Sequence, residues 1–268
     1  MRCVFGFKIS IRQGGNLLPD VFRITTEWRY PMTKRPALAA AALLSCTLAI
    51  LSSSAMAAGR GTAGGNRSVE QIQTTAAVLD FNEETHLVFM REEEKLARDV
   101  YISLGLRYPD SVVFGKIDDS EQRHTDAVKQ ALESYGVADP NTNDNTGVFT
   151  GAEYGAYFTE KYAFLLNRAA ASELDALYVG AFIEELDMHD IRHCPGVIVA
   201  QDNGVDSESQ CGGDYTDQPD IITLYGALLE GSENHLQGYV RAIEAIIGKG
   251  AYVAQVLSQD EVDEILGR

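Results

Sequence analysis

The sequence predicts an all-α protein built around four long amphipathic helices. Four segments carry apolar side chains at steps of three and four residues, which is the period of one helix face. No segment shows the two-residue alternation that is typical of a half-buried strand. Each of the four apolar stripes also contains a glutamate or a histidine near its middle, where an uncompensated charge would be costly. We therefore expect a four-helix bundle with these polar side chains facing its core.

The N-terminal region is predicted to precede the folded domain. Basic residues, an apolar run and an Ala-Met-Ala motif follow one another within residues 32–57, which is the order found in a secretory signal peptide cleaved after Ala57. A membrane anchor is the alternative, but an apolar run of about 15 residues is short for a span. Residues 1–31 are unusual upstream of such a signal, so Met32 is the expected start. A secreted or periplasmic location follows.

The mature chain is expected to have three parts. Residues 58–79 are rich in Gly, Thr and Asn and predict a flexible leader. Residues 80–248 form the predicted bundle, and residues 249–268 form a tail with a short helix. The mature chain carries 15 Lys and Arg against 37 Asp and Glu, a net charge of −22. This charge argues against nucleic acid and against an anionic membrane as partners once the signal is cleaved.

The first predicted helix runs from about residue 80 to Leu106, before Pro109. Its apolar stripe contains Glu94 between Met90 and Tyr101. An alternative exists, because a small change of helix phase would place Glu94 at a solvated edge, paired with Arg98 four residues on.

The second predicted helix runs from about residue 111 to 135 and ends at Gly136. Its stripe holds a Glu-x-x-His pair, Glu121 and His124. Both side chains are expected to point in the same direction as the apolar ones. Two titratable groups facing the core must be paired, neutralised or bound to a metal.

A long connection is predicted before the third helix. An aromatic-rich segment, residues 152–166, predicts a shorter crossing helix within it. One long crossover of this kind is typical of ferritin-like folds and not of simple up-and-down bundles.

The last two long helices are predicted from Ser172 to about 193 and from about 220 to 247. The third helix places Glu184 in its stripe, with Asp187 close to one turn further on. The fourth helix places His235 in its stripe. In the tail, Ser258 begins a capping-box sequence that predicts a helix through residue 266.

Two cysteines, Cys194 and Cys211, remain after signal cleavage. They bracket a polar loop, and in an oxidising compartment the simplest expectation is a disulfide. A redox-active or metal-binding pair is the alternative, but the spacing has no Cys-x-x-Cys character.

Several of these runs resemble known proteins. The run 94–101, Glu-Lys-Leu-Ala-Arg-Asp-Val-Tyr, resembles the first helix of rubrerythrin-type ferritin-like proteins. The Glu-x-x-His pair at 121–124 and the carboxylates at 184 and 187 are similar to their second and third helices. Over roughly residues 80–247 the chain also resembles an uncharacterised bacterial and archaeal ferritin-like family that is catalogued only as a domain of unknown function. The resemblance implies a ferritin-like bundle with a di-iron carboxylate centre.

The fourth helix departs from the rubrerythrin pattern. Ser232 stands where that pattern has the glutamate of a second Glu-x-x-His, and Glu233 is rotated by about 100°. The second metal position is thus short of one ligand, which Asp187 would supply unless only one ion is bound. The rubredoxin-like cysteine module is absent.

The stripes and the resemblance together give a candidate ligand set. The expected ligands are Glu94, Glu121, His124, Glu184, Asp187 and His235, surrounded by Arg98, Tyr101 and Ser232. Carboxylate and imidazole donors favour two iron ions, with manganese as the alternative. If the protein is an enzyme, we expect peroxide reduction or iron oxidation, with peroxide or dioxygen as the small-molecule substrate. The competing hypothesis is a non-catalytic bundle that holds one structural ion or binds a partner; assembly into oligomers is left open.

Overall fold

The computed structural model describes residues 78–268, and this part of the chain is all-helical. It contains seven α-helices and one 3₁₀ turn at Glu208–Gln210: α1 Phe81–Arg107, α2 Phe114–Ser134, α3 Gly155–Arg168, α4 Glu173–Arg192, α5 Gly196–Val199, α6 Pro219–Ile247 and α7 Gln259–Ile265. No strand occurs among these residues, which confirms the predicted all-α class. Within the same range, no helix combines the length and apolarity needed to cross a membrane. The predicted signal peptide and nearly all of the predicted leader lie outside the described residues.

The four long helices pack against one another side by side. Helix α1 contacts α2 and α4, α6 contacts α4 and α2, and the shorter α3 packs against α1 and α4. Because α1 has neighbours on three sides, its middle is buried all round, and Glu92, Glu93 and Glu94 are all buried. The alternative that placed Glu94 at a solvated edge is wrong: its exposed fraction is 0%.

Short polar caps fix several helix ends where the sequence predicted them. Ser172 accepts a hydrogen bond from the Asp175 backbone N–H at 3.1 Å, and Ser258 forms a capping box with Glu261. Such caps satisfy backbone donors that have no partner within the helix. Helix α2 differs from the prediction, since it begins at Phe114 and its cap residue, Val113, offers no side-chain hydrogen bond.

The cysteine pair closes the loop between α4 and α6. Cys194 and Cys211 are bonded, with their Cα atoms 4.7 Å apart, which confirms the predicted pairing. The loop contains the single turn of α5, which is too short to produce a helical period in the sequence.

Candidate metal centre

Four helices bring acidic and imidazole side chains together in the core. Glu94 comes from α1, Glu121 and His124 from α2, Glu184 from α4 and His235 from α6. The three glutamates are buried, and His235 is 8% exposed. These five residues are called the centre below.

The centre consists of two groups of three that share one glutamate. Glu94, Glu121 and His124 form one group, and Glu121, Glu184 and His235 form the other. Within each group the potential ligand atoms lie within 4.8 Å of one another.

The two carboxylate oxygens of Glu121 face different histidines. Its Oε2 lies 3.2 Å from Nδ1 of His124, and its Oε1 lies 2.7 Å from Nδ1 of His235. Each histidine has a second acid beside it: Oε2 of Glu94 is 3.5 Å from Nδ1 of His124, and Oε2 of Glu184 is 3.5 Å from Nδ1 of His235. Glu121 therefore occupies the middle of a nearly symmetric cluster.

Several polar atoms of the centre lack hydrogen-bond partners. Both oxygens of Glu94, Oε1 of Glu121 and the Nδ1 atoms of both histidines are buried without a well-directed hydrogen bond. The imidazoles lie within ion-pairing distance of the carboxylates but not in hydrogen-bonding geometry. Buried polar atoms are normally satisfied, so such a concentration of unsatisfied ones indicates a binding site.

The carboxylates dominate the electrostatics of the histidines. Burial by itself lowers the pKa of His124, but the Glu121 and Glu94 carboxylates outweigh it and raise this pKa to about 11. Burial likewise lowers the pKa of His235, whereas Glu184 and Glu121 raise it to about 10. Both imidazoles are held as cations when no other cation is present.

The pKa values of the three glutamates differ because their neighbours differ. Burial raises the pKa of Glu94 to about 7. Burial acts in the same direction on Glu121, but the two histidines outweigh it and lower its pKa to about 2. Burial raises the pKa of Glu184 as well. A nearly dry space that holds this many acids requires protons or cations to neutralise it.

Asp187 lies beside the centre and belongs to neither group of three. Its Oδ2 accepts a hydrogen bond of 2.6 Å from the hydroxyl of Ser232, and its Oδ1 is buried without a partner. Burial, followed by the Glu94 carboxylate, raises the pKa of Asp187 well above its usual value. The Ser232 hydroxyl therefore orients the one acid that was expected to replace the missing glutamate.

Tyr101 and Arg98 were both expected next to the centre, and only Tyr101 contacts it. The Tyr101 hydroxyl donates a hydrogen bond of 2.5 Å to Oε1 of Glu184. The guanidinium of Arg98 points away from the centre, toward Asp99 and Asp144. The expected position of Arg98 is corrected accordingly, because Asp99, Gln122 and Asp144 hold its guanidinium outside the centre.

Two glycines allow the helices to approach closely at the centre. A Cβ atom on Gly231 would lie 2.4 Å from Nε2 of His124. A Cβ atom on Gly180 would lie 2.3 Å from the ring of Tyr239. Glycine inside a helix lowers helix stability. Gly180 and Gly231 within predicted helices could therefore have indicated that another side chain packs closely against them.

The spacing of the donor atoms is suitable for metal ions. Neighbouring ligands on an ion with bonds of about 2.1 Å lie about 3 Å apart. The measured separations of 2.7 to 3.5 Å between carboxylate oxygens and imidazole nitrogens bracket this value. Each group of three could hold one ion through two carboxylates and one imidazole.

A family model, a protein sequence and a crystal structure each match most of this chain. Residues 83–268 match a family described as an uncharacterized protein domain, DUF2202. The uncharacterized protein MJ0754 of Methanocaldococcus jannaschii is 38% identical over 184 residues, which cover 69% of this chain and 86% of that protein. The crystal structure of hypothetical protein MJ0754 from Methanococcus jannaschii superposes with a TM-score of 0.58 at 37% identity, covering 72% of this chain and 95% of that one. The chain therefore belongs to the DUF2202 family.

Proposed function

We propose that this chain is a ferritin-like metalloprotein that binds two metal ions at the centre. The observation that carries the proposal is the position of Glu121, whose two oxygens face two separate groups of ligand atoms. A carboxylate placed in this way can bridge two ions, as it does in dinuclear sites built between facing helices.

The helix packing supports the ferritin-like part of the proposal. Helices α1, α2, α4 and α6 pack in a closed set of neighbours, and α3 lies in the long connection between α2 and α4. A four-helix bundle with one long crossover has this order of elements.

The donor chemistry supports iron, with manganese as the alternative. The centre offers carboxylate oxygens and imidazole nitrogens and no thiolate. Structural zinc sites are usually rich in thiolate, whereas iron and manganese accept this mixed set. The oxygens of Glu94, which have no hydrogen-bond partner, would be available to coordinate an ion.

Glu94, Glu121, His124, Glu184 and His235 would hold the two ions. Bound iron or manganese would supply redox chemistry toward dioxygen or peroxide, so the protein would act as an oxidoreductase that reduces peroxide or oxidises ferrous iron. The protein's own part in this chemistry is orientation. The Tyr101 hydroxyl fixes one oxygen of Glu184 and leaves Oε2 facing His235. The Ser232 hydroxyl fixes one oxygen of Asp187. Hydrogen bonds of this kind hold ligands in place and adjust their basicity.

A secreted or periplasmic location is part of the same proposal. The bonded pair of Cys194 and Cys211 supports it, because structural disulfides form mainly in oxidising compartments.

Metal content is the test of the proposed function. The protein, expressed without a His-tag, is analysed by elemental mass spectrometry beside Glu121→Ala, His124→Ala and His235→Ala. We expect about two iron or manganese ions per wild-type chain, at most one in each histidine variant and none in Glu121→Ala. Glu133→Ala, which removes an exposed acid from α2, serves as the control and should keep both ions. A wild-type chain without metal after anaerobic reconstitution with both elements would disprove the proposal.

A single structural ion is the second candidate function. It is favoured by Ser232, whose hydroxyl occupies the place of a glutamate and engages Asp187. In this case the wild type binds one ion per chain, and the loaded protein neither consumes peroxide nor oxidises ferrous iron faster than the metal-free protein.

A further inference from the structure

A small pocket opens beside the centre between the start of α2 and the middle of α6. Its volume is about 210 Å³, and its lining includes Lys116 and Ile117 of α2 and His235, Gly238 and Arg241 of α6. Because His235 lines the pocket and also belongs to the centre, the pocket reaches the edge of the centre.

The entrance of this pocket carries positive charge on a strongly acidic chain. Lys116 and Arg241 are both exposed, and no carboxylate within residues 78–268 pairs with either of them. The formal net charge of the full sequence is −17. Two unpaired cations at one opening therefore create a local field opposite in sign to that of the protein as a whole.

The first turn of α2 adds to this field. Val113 caps the helix without a side-chain hydrogen bond, and the turn contains no acidic residue. The free backbone N–H groups at a helix start attract anions. Val113 also lines the pocket, so the helix start, the two cations and the buried imidazole of His235 converge on one space.

We propose that this pocket binds a small anion beside the centre, an inference that rests on the proposed function. The ligand is an inorganic anion or a short carboxylate. Pockets for drug-sized molecules begin at roughly 300 Å³, and 210 Å³ is below this limit. Nucleotides and flavins are thus too large to enter.

Gly238 offers a way to close the pocket without disturbing the helices. A Cβ atom on this residue would meet nothing within 4 Å, and the residue lies within α6. Gly238→Leu is therefore expected to fill the pocket and leave the fold intact. Gly226→Leu is the matched control, since Gly226 is exposed on the same helix and also faces open space.

The experiment measures azide binding from the infrared band of bound azide. It is applied to the protein as purified and to the protein after metal removal by chelation. We expect saturable binding in the wild type in both forms, at least about tenfold weaker binding in Lys116→Gln/Arg241→Gln because two attractive charges are lost, and no binding in Gly238→Leu. Arg123→Gln/Lys249→Gln removes two exposed cations outside the pocket and should bind azide as the wild type does.

The outcome for the pocket is separate from that for the metal. Metal content is measured on every variant, so a chain without metal that still binds azide at this pocket retains the inference and loses the proposed function. A chain with two ions whose azide affinity is the same in Gly238→Leu, Gly226→Leu and the wild type overturns the inference and retains the function. Equal azide affinity in Lys116→Gln/Arg241→Gln and in Arg123→Gln/Lys249→Gln also overturns the inference.

Discussion

Two kinds of buried carboxylate occur among the described residues, and they differ in whether the protein supplies hydrogen-bond donors to their oxygens. The Asp99 carboxylate, fully buried, accepts hydrogen bonds from Lys95 at 2.5 Å, from Arg98 at 2.8 and 2.9 Å and from the Gly147 backbone at 2.8 Å. The Glu94 carboxylate, equally buried and on the same helix, has no hydrogen-bond partner for either oxygen.

The same contrast appears on α4. Glu185 accepts backbone hydrogen bonds from residues 255, 256 and 257 and a fourth hydrogen bond from the Tyr252 hydroxyl. Its neighbour Glu184 accepts one from Tyr101 and leaves its other oxygen toward His235. Burial alone therefore does not identify a binding site. Asp99 and Glu185, which are supplied with protein donors, hold the fold, whereas the oxygens of Glu94 are left without them beside other potential ligand atoms.

Asp99→Asn should destabilise the protein by about 4 kcal/mol, because it leaves the buried Lys95 ammonium without its counter-charge. Urea unfolding in the presence of a chelator measures the effect. A loss below about 1 kcal/mol would mean that this carboxylate is not the structural counterpart we describe.

His86 extends the comparison to a buried imidazole satisfied by the protein. Its ring nitrogens lie 2.7 Å from the Tyr225 hydroxyl and 2.8 Å from the Asp190 carbonyl, and burial lowers its pKa to about 4. In the unfolded chain the His86 imidazole binds a proton near pH 6.5, whereas in the folded chain it stays neutral down to about pH 4. The free energy of unfolding therefore decreases as the pH falls from 6.5 toward 4. The loss attributable to His86 should approach about 3 kcal/mol.

The measurement for His86 compares the wild type with His86→Gln between pH 4 and pH 7. The other titrating groups are common to both proteins, so the difference isolates the imidazole. A difference that does not change with pH would contradict the assignment.

Glu185→Gln should cost about 2 kcal/mol, because an amide NH₂ would face backbone donors that now share a carboxylate oxygen. Hydrogen exchange should accelerate most at residues 252–257, where the tail is anchored. Unchanged exchange in this segment would show that the anchor does not depend on Glu185.

Glu94→Gln should change the stability of the metal-free protein by less than about 1 kcal/mol, since no hydrogen bond is lost and the closer Glu121 carboxylate remains beside the charged His124. The same variant should lose metal. Urea unfolding with chelator and metal analysis without it give the two values. A large destabilisation of the metal-free protein would make Glu94 a structural acid like Asp99.

The sequence predicted the helices well because their signals are local. Apolar steps of three and four residues, the Ser172 and Ser258 caps and the glycine after α2 depend on neighbouring residues in the chain. The placement of Glu121 and His235 on inward faces follows from the same periodicity. Whether these residues bind metal stays a prediction.

Other features could not be predicted because they depend on packing. Glu92 and Glu93 are buried with Glu94 since α1 has helices on three sides, and periodicity identifies only one inward face. The pocket cations Lys116 and Arg241 come from helices far apart in the sequence, and no local pattern marks them.

The sequence by itself determined the helical class, the disulfide pair and which side chains are candidate metal ligands, because periodicity, cysteine count and residue chemistry are properties of the chain. Only the tertiary structure decided that the two oxygens of Glu121 face two histidines, and that Asp99 is satisfied while Glu94 is not. These distinctions depend on which donors other helices and loops bring within about 3 Å of each carboxylate.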